Sequence, residues 1–509
     1  MDNTLKTWSA IGLLVLSISS TLFLINALIE DGMVSGTDGG NLIAYSLELK
    51  GENIKAGDST YAPLIPILLL GLSSLVSPIK AIFIVALVSI FVSLYAAFYS
   101  ASVVSNKTLG ILLVCIASTI GLSIEIISWG GYPQLLSNSL TLISITLIGR
   151  KANGLKLKDF FLICLLTWLA LGIWIPGIII WLLAYIVLCC LCLIQSKTLS
   201  NFKATIYKFA RLLIVIVILC IPFLPFYISS FDIVDLKSWN HQQASLTNLT
   251  MVTDITFRFW PRLIVLVFGG LFILSLSGTI KAMYKKNKHE CNGVVSVTLV
   301  SVFIFMTTNE IRSLNLFMIG AWMIIGYSTF SLIKELPRIR ITQNNFSTYL
   351  AYARIACFLL VLSTQVYIFY KQVHLTTDYY RVITSEAKDA IFWLKNNNYH
   401  SQTAIETGNS YGLQYIWWLE GLSHTPTYSA TDRNLFSFHT EREQTDIANK
   451  IINSNNPKKI AELSAQYNIC LIFVDKDVYK KSGILTDAGF KLVYENSNFE
   501  IFSKNCKPN

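Results

Sequence analysis

Long apolar runs separated by short polar intervals dominate this chain. A membrane-spanning helix needs about 20 apolar residues. Eleven stretches come close to that length and are predicted spans: 8–29, 79–104, 108–125, 132–149, 158–174, 175–196, 210–228, 260–280, 293–308, 313–333 and 352–370. We take the first as a retained span, since it is too long for a signal-peptide core and lacks a small-residue cleavage site. The pattern predicts a polytopic α-helical membrane protein.

The run 62–77 is shorter than the others and begins with Pro63 and Pro66, which suit a first helical turn. If this run does not span, the later basic clusters all fall on one side, which the positive-inside rule assigns to the cytoplasm. We therefore predict that 62–77 is interfacial or re-entrant. The N-terminus is then cytoplasmic and the C-terminus extracytoplasmic. Gly172 and Pro176 could mark a kink in one long helix, but the same charge rule favours two short spans there.

Residues 372–509, called the tail below, change in character. Helical periodicity in SEAKDAIFWLKNNN and IANKIINSNNPKKIAELSAQY alternates with the β-rich runs ICLIFVD and FEIFS. This alternation predicts a small α/β domain. The predicted organisation is a transmembrane domain over 1–371, whose first extracytoplasmic loop (30–78) carries interfacial helices, followed by an extracytoplasmic α/β domain over 372–509.

Composition agrees with membrane spans. Of 509 residues 53% are hydrophobic and 14% charged, whereas soluble domains carry about a quarter charged residues. The net charge of +10 lies in short clusters between apolar runs, which indicates membrane topology rather than nucleic-acid binding. Seven of the ten cysteines lie in apolar runs, and the cysteine spacing suggests neither a metal site nor a disulfide framework.

The first candidate catalytic residues lie in the first loop, from Glu30 to Tyr61, which contains six carboxylates and two lysines. Ionised groups beside hydrocarbon are costly and tend to be functional. Asp38, in GTDGGNLIAYSLEL, opens a predicted helix, so it is either an N-cap or a catalytic carboxylate. Gly39 and Gly40 would allow a ligand to approach the backbone closely.

A second carboxylate, Glu125, ends an apolar run on the same predicted side, just before Trp129 and Tyr132. Its ordinary explanation is a solvated helix end. In the catalytic alternative, Asp38 and Glu125 take a proton from an acceptor or hold a divalent cation, Mg²⁺ or Mn²⁺. These two residues are the candidate catalytic pair and the candidate metal ligands.

Arginines on the same side could neutralise a lipid phosphate through bidentate hydrogen bonds. Arg312 starts a late span, where a snorkelling arginine paired with Glu310 is the ordinary alternative. Arg258 and Arg262 flank a Trp-Pro pair at the start of another span, which an interfacial aromatic belt explains equally well. All three are candidates for binding the donor phosphate.

A further set of polar and aromatic side chains is predicted to contact the acceptor or the sugar. His241 is a lone loop histidine, and such residues are more often structural. Trp417 and Trp418 could stack on sugar faces or dock the tail on the membrane. The complete set is Tyr61, Trp129, Tyr132, His241, Trp417, Trp418 and Glu420.

These features together resemble the GT-C superfamily of integral-membrane glycosyltransferases. The likeness lies in Asp38 ahead of an amphipathic helix, the Tyr61-x-Pro63-x-x-Pro66 segment, the turn from Glu125 to Tyr132 and the outward Arg312. The tail run WLEGLSHTPTY and the strand ending in Val-Asp-Lys look like the extracytoplasmic domain of archaeal and bacterial members. The likeness covers nearly the whole chain at the level of layout.

The resemblance implies transfer of a sugar from a polyprenyl-phosphate donor to a lipid, glycan or protein acceptor at the outer face of a prokaryotic plasma membrane. Asp38 would be the base or a metal ligand, and Arg312 would hold the lipid phosphate. The chain departs from the family where Gly39 follows Asp38, whereas many members carry a second acid or histidine. Trp417-Trp418-Leu419-Glu420-Gly421 keeps only the ends of the oligosaccharyltransferase motif Trp-Trp-Asp-Tyr-Gly, which makes a lipid or polysaccharide acceptor the preferred prediction.

Two other classes of function compete with the enzyme. A transporter or lipid flippase usually buries ionisable groups at mid-membrane, and the predicted spans lack clear examples. A non-catalytic scaffold for envelope assembly would tolerate joint replacement of Asp38, Glu125 and Arg312. The acids on the outer face favour the enzyme.

Overall fold

The computed structural model describes residues 3–30, 33–34, 36–52, 54, 62–151, 156–174, 176–196, 199–226, 257–286, 290–308, 313–342, 345–399, 402–436 and 439–504. Helices predominate before the tail. They are α1 (Asn3–Leu28), α2 (Asp38–Glu48), α3 (Leu64–Ser73), α4 (Pro78–Val104), α5 (Lys107–Ala117), α6 (Gly121–Trp129), α7 (Tyr132–Arg150), α8 (Leu157–Ile173), α9 (Gly177–Ile194), α10 (Leu199–Cys220), α11 (Arg262–Lys286), α12 (Glu290–Thr308), α13 (Leu314–Thr342) and α14 (Asn345–Tyr379). Two antiparallel strands of two residues each, β1 (Ile29–Glu30) and β2 (Met33–Val34), follow α1.

The helices confirm the polytopic prediction. Among the described residues, seven helices are long and apolar enough to cross a membrane, or eight if the bent pair α5–α6 is one span. Helices α7, α8 and α12, of 19, 17 and 19 residues, occupy the remaining predicted spans. Helix α7 is buried from Tyr132 to Gly149. Since its polar side chains are therefore shielded from lipid, it forms the centre of the bundle.

Helix α3 corresponds to the ambiguous run 62–77. It has ten residues, which span about 15 Å, half the thickness of the hydrocarbon core. Pro63 is its N-cap residue, and α3 packs against α2 and α4. The length agrees with the prediction that this run does not cross the membrane.

The predicted span 108–125 is instead two helices, α5 and α6, that meet at an angle of 54°. Gln365 of α14 stabilises the break, because its amide nitrogen donates to the Ile116 carbonyl at 3.1 Å and to the Thr119 hydroxyl at 2.9 Å. Helix α6 ends at Gly130, which has a φ of +100°. The expectation that Glu125 stands at a helix end is therefore wrong, since it lies inside α6.

The expected break between two short spans near residue 174 is present. Helix α8 ends at Ile173, Trp174 is extended, and α9 begins at Gly177 after Pro176. A methyl group at Gly177 would lie 2.6 Å from the Ser137 hydroxyl, so α9 packs closely against α7. Helix α10 begins at Leu199, before the predicted span 210–228, and ends at Cys220, whereas α14 extends beyond the predicted span 352–370 at both ends.

The tail contains a mixed five-stranded sheet with strand order β4-β3-β5-β7-β6, in which β3 is parallel to β4 and β5, and β7 is antiparallel to β5 and β6. The predicted runs ICLIFVD and FEIFS are strands of that sheet. The elements are α15 (Ser385–Asn396), β3 (Thr403–Glu406), α16 (Ile416–Trp418), a π-helical turn (Leu419–Ser423), β4 (Thr427–Ser429), α17 (His439–Ile452), α18 (Pro457–Gln466), β5 (Ile469–Asp475), α19 (Ser482–Asp487), β6 (Lys491–Glu495) and β7 (Phe499–Ser503).

The two faces of the sheet belong to different cores. Alternate side chains of β5 point to opposite faces: Leu471 and Phe473 join the core that continues into the membrane helices, whereas Ile472 and Val474 pack beneath α17 and α18. The tail is therefore built onto the bundle through continuous apolar packing. Cys470 is disulfide-bonded, which the cysteine spacing did not lead us to expect.

Candidate functional site

The segment before α2 lies directly against the end of α6. The Thr37 backbone N–H donates to the Trp129 carbonyl at 2.8 Å, and the Thr37 hydroxyl donates to the same oxygen at 3.2 Å. A methyl group at Gly36 would lie 2.8 Å from the Gly130 nitrogen, and one at Gly130 would lie 3.1 Å from the Asp38 β-carbon. The structure thus brings Asp38 to the turn that follows Glu125.

Asp38 occupies the first turn of α2, and Thr37 is the N-cap residue. The Asp38 side chain is partly exposed and accepts a hydrogen bond from the Thr37 hydroxyl at 3.1 Å. It also interacts electrostatically with the buried Tyr132 hydroxyl. A carboxylate at a helix N-terminus interacts favourably with the helix dipole, and the partial exposure of Asp38 leaves its side chain accessible to a ligand.

Glu125 is connected to the same junction through Tyr380, the residue that follows α14. The Tyr380 hydroxyl donates to Glu125 Oε1 at 3.0 Å, and the Tyr380 carbonyl accepts from the Gly36 N–H at 3.2 Å. Burial, together with the Glu125 charge, raises the pKa of Tyr380, so its hydroxyl remains a neutral donor. Trp129 packs edge-on against the Tyr380 ring, with centroids 6.2 Å apart.

A cavity of about 260 Å³ opens beside Glu125, between the α5–α6 break, the start of α11 and the end of α14. Arg258 lines it and interacts electrostatically with Tyr380. The walls combine these polar groups with apolar side chains. The α14 side contributes Gln365, Ile368, Phe369, Gln372, Val373, Leu375, Thr376, Tyr379 and Tyr380. The cavity therefore has a charged end and an apolar wall.

The tail docks on α2 through tryptophan and glycine. The Trp418 indole N–H donates to the Gly36 carbonyl at 2.9 Å. A methyl group at Gly40 would lie 2.5 Å from the Trp417 carbonyl, and one at Gly421 would lie 2.4 Å from the Gly40 oxygen. Because glycine permits this close backbone approach, the tail rests on the helix that carries Asp38.

Three predicted contact residues are therefore enclosed by protein. Trp417 and Trp418 are 9% and 1% exposed, and Glu420 is 1% exposed. The Thr427 N–H donates to Glu420 at 3.5 Å. These positions support the joint between tail and bundle. The Trp418 indole packs against Gly39 of α2, and the Trp417 indole packs edge-on against Phe436, so neither ring presents an open face. A second link across the joint is the contact between His424 Nδ1 and Glu52 Oε2 at 2.9 Å.

A buried carboxylate in the tail stabilises the segment that leads to this joint. Glu406, at the end of β3, is 0% exposed. It accepts hydrogen bonds from the Ser429 hydroxyl and from the Gly408, Tyr415 and Ile416 backbone N–H groups. Burial raises the pKa of Glu406 to about 7, against the opposing effect of these donors.

The remaining predicted residues divide into two groups. Tyr61, His241 and Arg312 lie outside the described residues. Arg262 begins α11 and is exposed, but it does not line the cavity. Sequence reasoning missed Tyr380, whose signal was the pair Tyr379–Tyr380 in the polar segment that follows the predicted span 352–370.

The described residues contain no group of three or more His, Cys, Asp or Glu side chains suited to a metal ion. Glu125 Oε1 already accepts the Tyr380 hydroxyl hydrogen bond. This donor set does not by itself fit the Mg²⁺ or Mn²⁺ expected from the sequence, which takes about six oxygen ligands.

The bundle and its docked α/β tail have the fold of GT-C membrane glycosyltransferases, which confirms the predicted fold class. No protein-family model and no curated protein sequence matches the chain. Similarity to solved structures is clear at 11–12% sequence identity, where the likeness concerns the fold alone.

Three solved structures illustrate this fold. The Archaeoglobus fulgidus oligosaccharyltransferase, tethered with an acceptor peptide, is 11% identical with a TM-score of 0.60, covering 99% of this chain and 74% of its own. ArnT from Cupriavidus metallidurans, bound to undecaprenyl phosphate, is 11% identical with a TM-score of 0.54, covering 97% and 98%. The arabinofuranosyltransferase AftD from Mycobacteria is 12% identical with a TM-score of 0.56, covering 99% and 42%.

Proposed function

We propose that this protein is a glycosyltransferase that moves a sugar from a polyprenyl-phosphate donor to a lipid, polysaccharide or protein acceptor. The observation that carries the proposal is the placement of Asp38 at the turn that follows Glu125, together with a cavity that Glu125 and Arg258 line. Fold alone does not determine function, and the support specific to this chain is the arrangement of charged side chains beside an apolar wall.

The cavity suits an amphiphilic donor. Its apolar wall on α14, including Phe369 and Val373, would accommodate isoprenoid units, and Arg258 would neutralise the phosphate. ArnT binds undecaprenyl phosphate and the oligosaccharyltransferase forms a complex with dolichol-phosphate, which supports the same donor class here. Arg262 and Arg312 are further candidates for the phosphate.

Asp38 is the proposed general base. It would accept the proton of the acceptor hydroxyl or amide while the acceptor atom forms a bond to the anomeric carbon. The bond from that carbon to the phosphate oxygen breaks, and the phosphate leaves on the lipid beside Arg258. Glu125, oriented by Tyr380, would hydrogen-bond the sugar. No step is assigned to a divalent cation, because the described ligands do not fit one.

The proposal includes a topology. We place residues 1–371 in a prokaryotic plasma membrane with a cytoplasmic N-terminus, and 372–509 outside as an α/β domain. Stable disulfides form in oxidising compartments, so the bond at Cys470 supports an extracytoplasmic tail.

Replacement of Asp38 tests the proposal. Asp38→Asn in the full chain, reconstituted in nanodiscs, should lower kcat about 10²- to 10⁴-fold, the usual contribution of a general base, with an unchanged melting temperature. Asp389→Asn, an exposed aspartate of α15, is the matched control and should retain activity. Unchanged transfer by Asp38→Asn would remove Asp38 from the mechanism and favour the transporter or scaffold.

A further inference from the structure

A short loop of the tail, residues 408–413, presents an aromatic ring near the cavity. The Asn409 side-chain oxygen accepts from the Tyr411 and Leu413 N–H groups, both at 2.9 Å. The Gly412 N–H donates to the Asn409 carbonyl at 2.8 Å. Gly408 and Gly412 have φ values of +73° and +76°, which glycine adopts without strain. The result is a compact turn with Tyr411 at its tip.

The base of this loop is held by the buried Glu406. Its carboxylate accepts from the Gly408 N–H at the start of the loop and from the Tyr415 and Ile416 N–H groups just beyond its end. A satisfied buried network of this kind makes a segment rigid. Because Glu406 is the last residue of β3, the position of the loop that carries Tyr411 is fixed relative to the sheet of the tail.

Tyr411 is continuous with the cavity wall. Its ring centroid lies 5.4 Å from that of Tyr379, a cavity-lining residue, which in turn lies 4.9 Å from Tyr380. Tyr411 is 61% exposed and Tyr379 is 43% exposed, so open ring surface remains on both. Glu125 and Arg258 line the same cavity.

We infer that Tyr411 and Tyr379 form a stacking platform for the glycosyl ring of the lipid-linked donor. This inference rests on the proposed function. A sugar ring has an apolar C–H face that packs on an aromatic ring, and its hydroxyls seek polar partners, which Glu125 and the tyrosine hydroxyls supply. With the phosphate at Arg258, the sugar bonded to it would lie next to this platform.

The competing explanation is the tyrosine belt found at membrane interfaces. Tyr379 alone, at the end of a membrane helix, would fit that explanation. Tyr411 belongs to a loop of the tail that the buried Glu406 carboxylate and the Asn409 turn hold in place. A residue of a membrane-interface belt does not require such support. The platform and the belt differ in one measurable property, because the platform recognises the sugar and the belt recognises only lipid.

Binding to the full chain in nanodiscs tests the inference. The probes are bare undecaprenyl phosphate and undecaprenyl phosphate carrying one hexose or one pentose. Tyr411→Ala should weaken binding of the preferred glycosylated probe about two- to tenfold, the range for one aromatic contact, and leave the bare lipid unchanged. Tyr411→Phe, which keeps the ring, should bind nearly as the parent does.

The matched control is Tyr349→Ala. Tyr349 is 70% exposed and lies on α14 about 45 Å from Tyr379 along the helix axis. It should bind every probe as the parent does. Equal weakening of glycosylated and bare lipid by Tyr411→Ala, or no weakening of either, would overturn the platform while leaving the proposed function intact. A parent protein that binds no glycosylated lipid would overturn both.

Discussion

The hydrogen bond between Tyr380 and Glu125 illustrates how single residues join distant parts of this chain. Tyr380 contacts the first loop through its carbonyl, α6 through its hydroxyl and Trp129 through its ring. The Tyr380 hydroxyl is both buried and neutral, so it can donate a hydrogen bond that orients the Glu125 carboxylate at the cavity. Its importance follows from these contacts, which sequence inspection could not assign, because its partners lie more than 250 positions earlier.

Tyr380→Phe should keep the ring packing and remove the hydrogen bond. We expect the free energy of unfolding to fall by about 1–2 kcal/mol, because the Glu125 carboxylate loses a donor. If the bond also orients Glu125 in the transition state, kcat should fall about five- to thirtyfold. Thermal unfolding and initial rates measure the two effects. Tyr349→Phe is the control, and parent-like values for Tyr380→Phe would exclude an orienting role.

Glu406 makes a pH prediction at the same scale. Its pKa rises from 4.5 to about 7 on folding, so between these values the folded state binds more protons than the unfolded state. The stabilising contribution of this group should therefore be complete below about pH 4.5 and be lost as the pH rises through 7, a change of about 3 kcal/mol.

Glu406→Gln should flatten that dependence, because an amide does not titrate in this range. The amide can still accept from the Gly408 N–H and donate to the Ser429 hydroxyl. Chemical denaturation at several pH values, with Asp389→Asn as control, measures the slope. An identical slope in the parent and in Glu406→Gln would contradict the assignment of the titration to Glu406.

At the scale of elements, packing of α2 against the tail positions the site. Sequence periodicity was sufficient to place a helix at ten of the eleven predicted spans and to place the strands β5 and β7. It failed at the α5–α6 break, because the carbonyl freed there is satisfied by Gln365 from α14. It also did not reveal the tail joint, where Gly40 and Gly421 meet although they are 381 positions apart in the chain.

Gly40→Ala tests that joint. The added methyl group would lie 2.5 Å from the Trp417 backbone, and backbone atoms cannot move aside as flexible side chains do. We expect a loss of stability of about 1–3 kcal/mol, faster proteolysis of the tail and reduced transfer. Gly269→Ala, in α11 with nothing within 4 Å of the added carbon, should be neutral or slightly stabilising. A neutral Gly40→Ala would show that the contact is loose.

For the whole molecule, one core extends from the membrane helices to one face of the sheet, through Trp418 and α15. The tail and the bundle therefore act as a unit, and the candidate site lies where they join. Asp38 and Glu125 could be chosen from the sequence because acids beside a membrane are costly. The contributions of Tyr380, Tyr411 and Glu406 could not, because each depends on how the tail is placed.

The unit also predicts which way the molecule faces. Lys156, just before α8, and Lys158, in its first turn, are exposed. They follow α7, whose 19 residues lead about 28 Å away from Tyr132 and the candidate site, and the positive-inside rule places such lysines on the cytoplasmic side. In intact cells a membrane-impermeant maleimide should label Glu462→Cys, on an exposed position of α18, above the parent background. Lys158→Cys should be labelled only in permeabilised cells. The reverse pattern would place Asp38 and the cavity on the cytoplasmic side, where a donor delivered to the outer leaflet could not reach them.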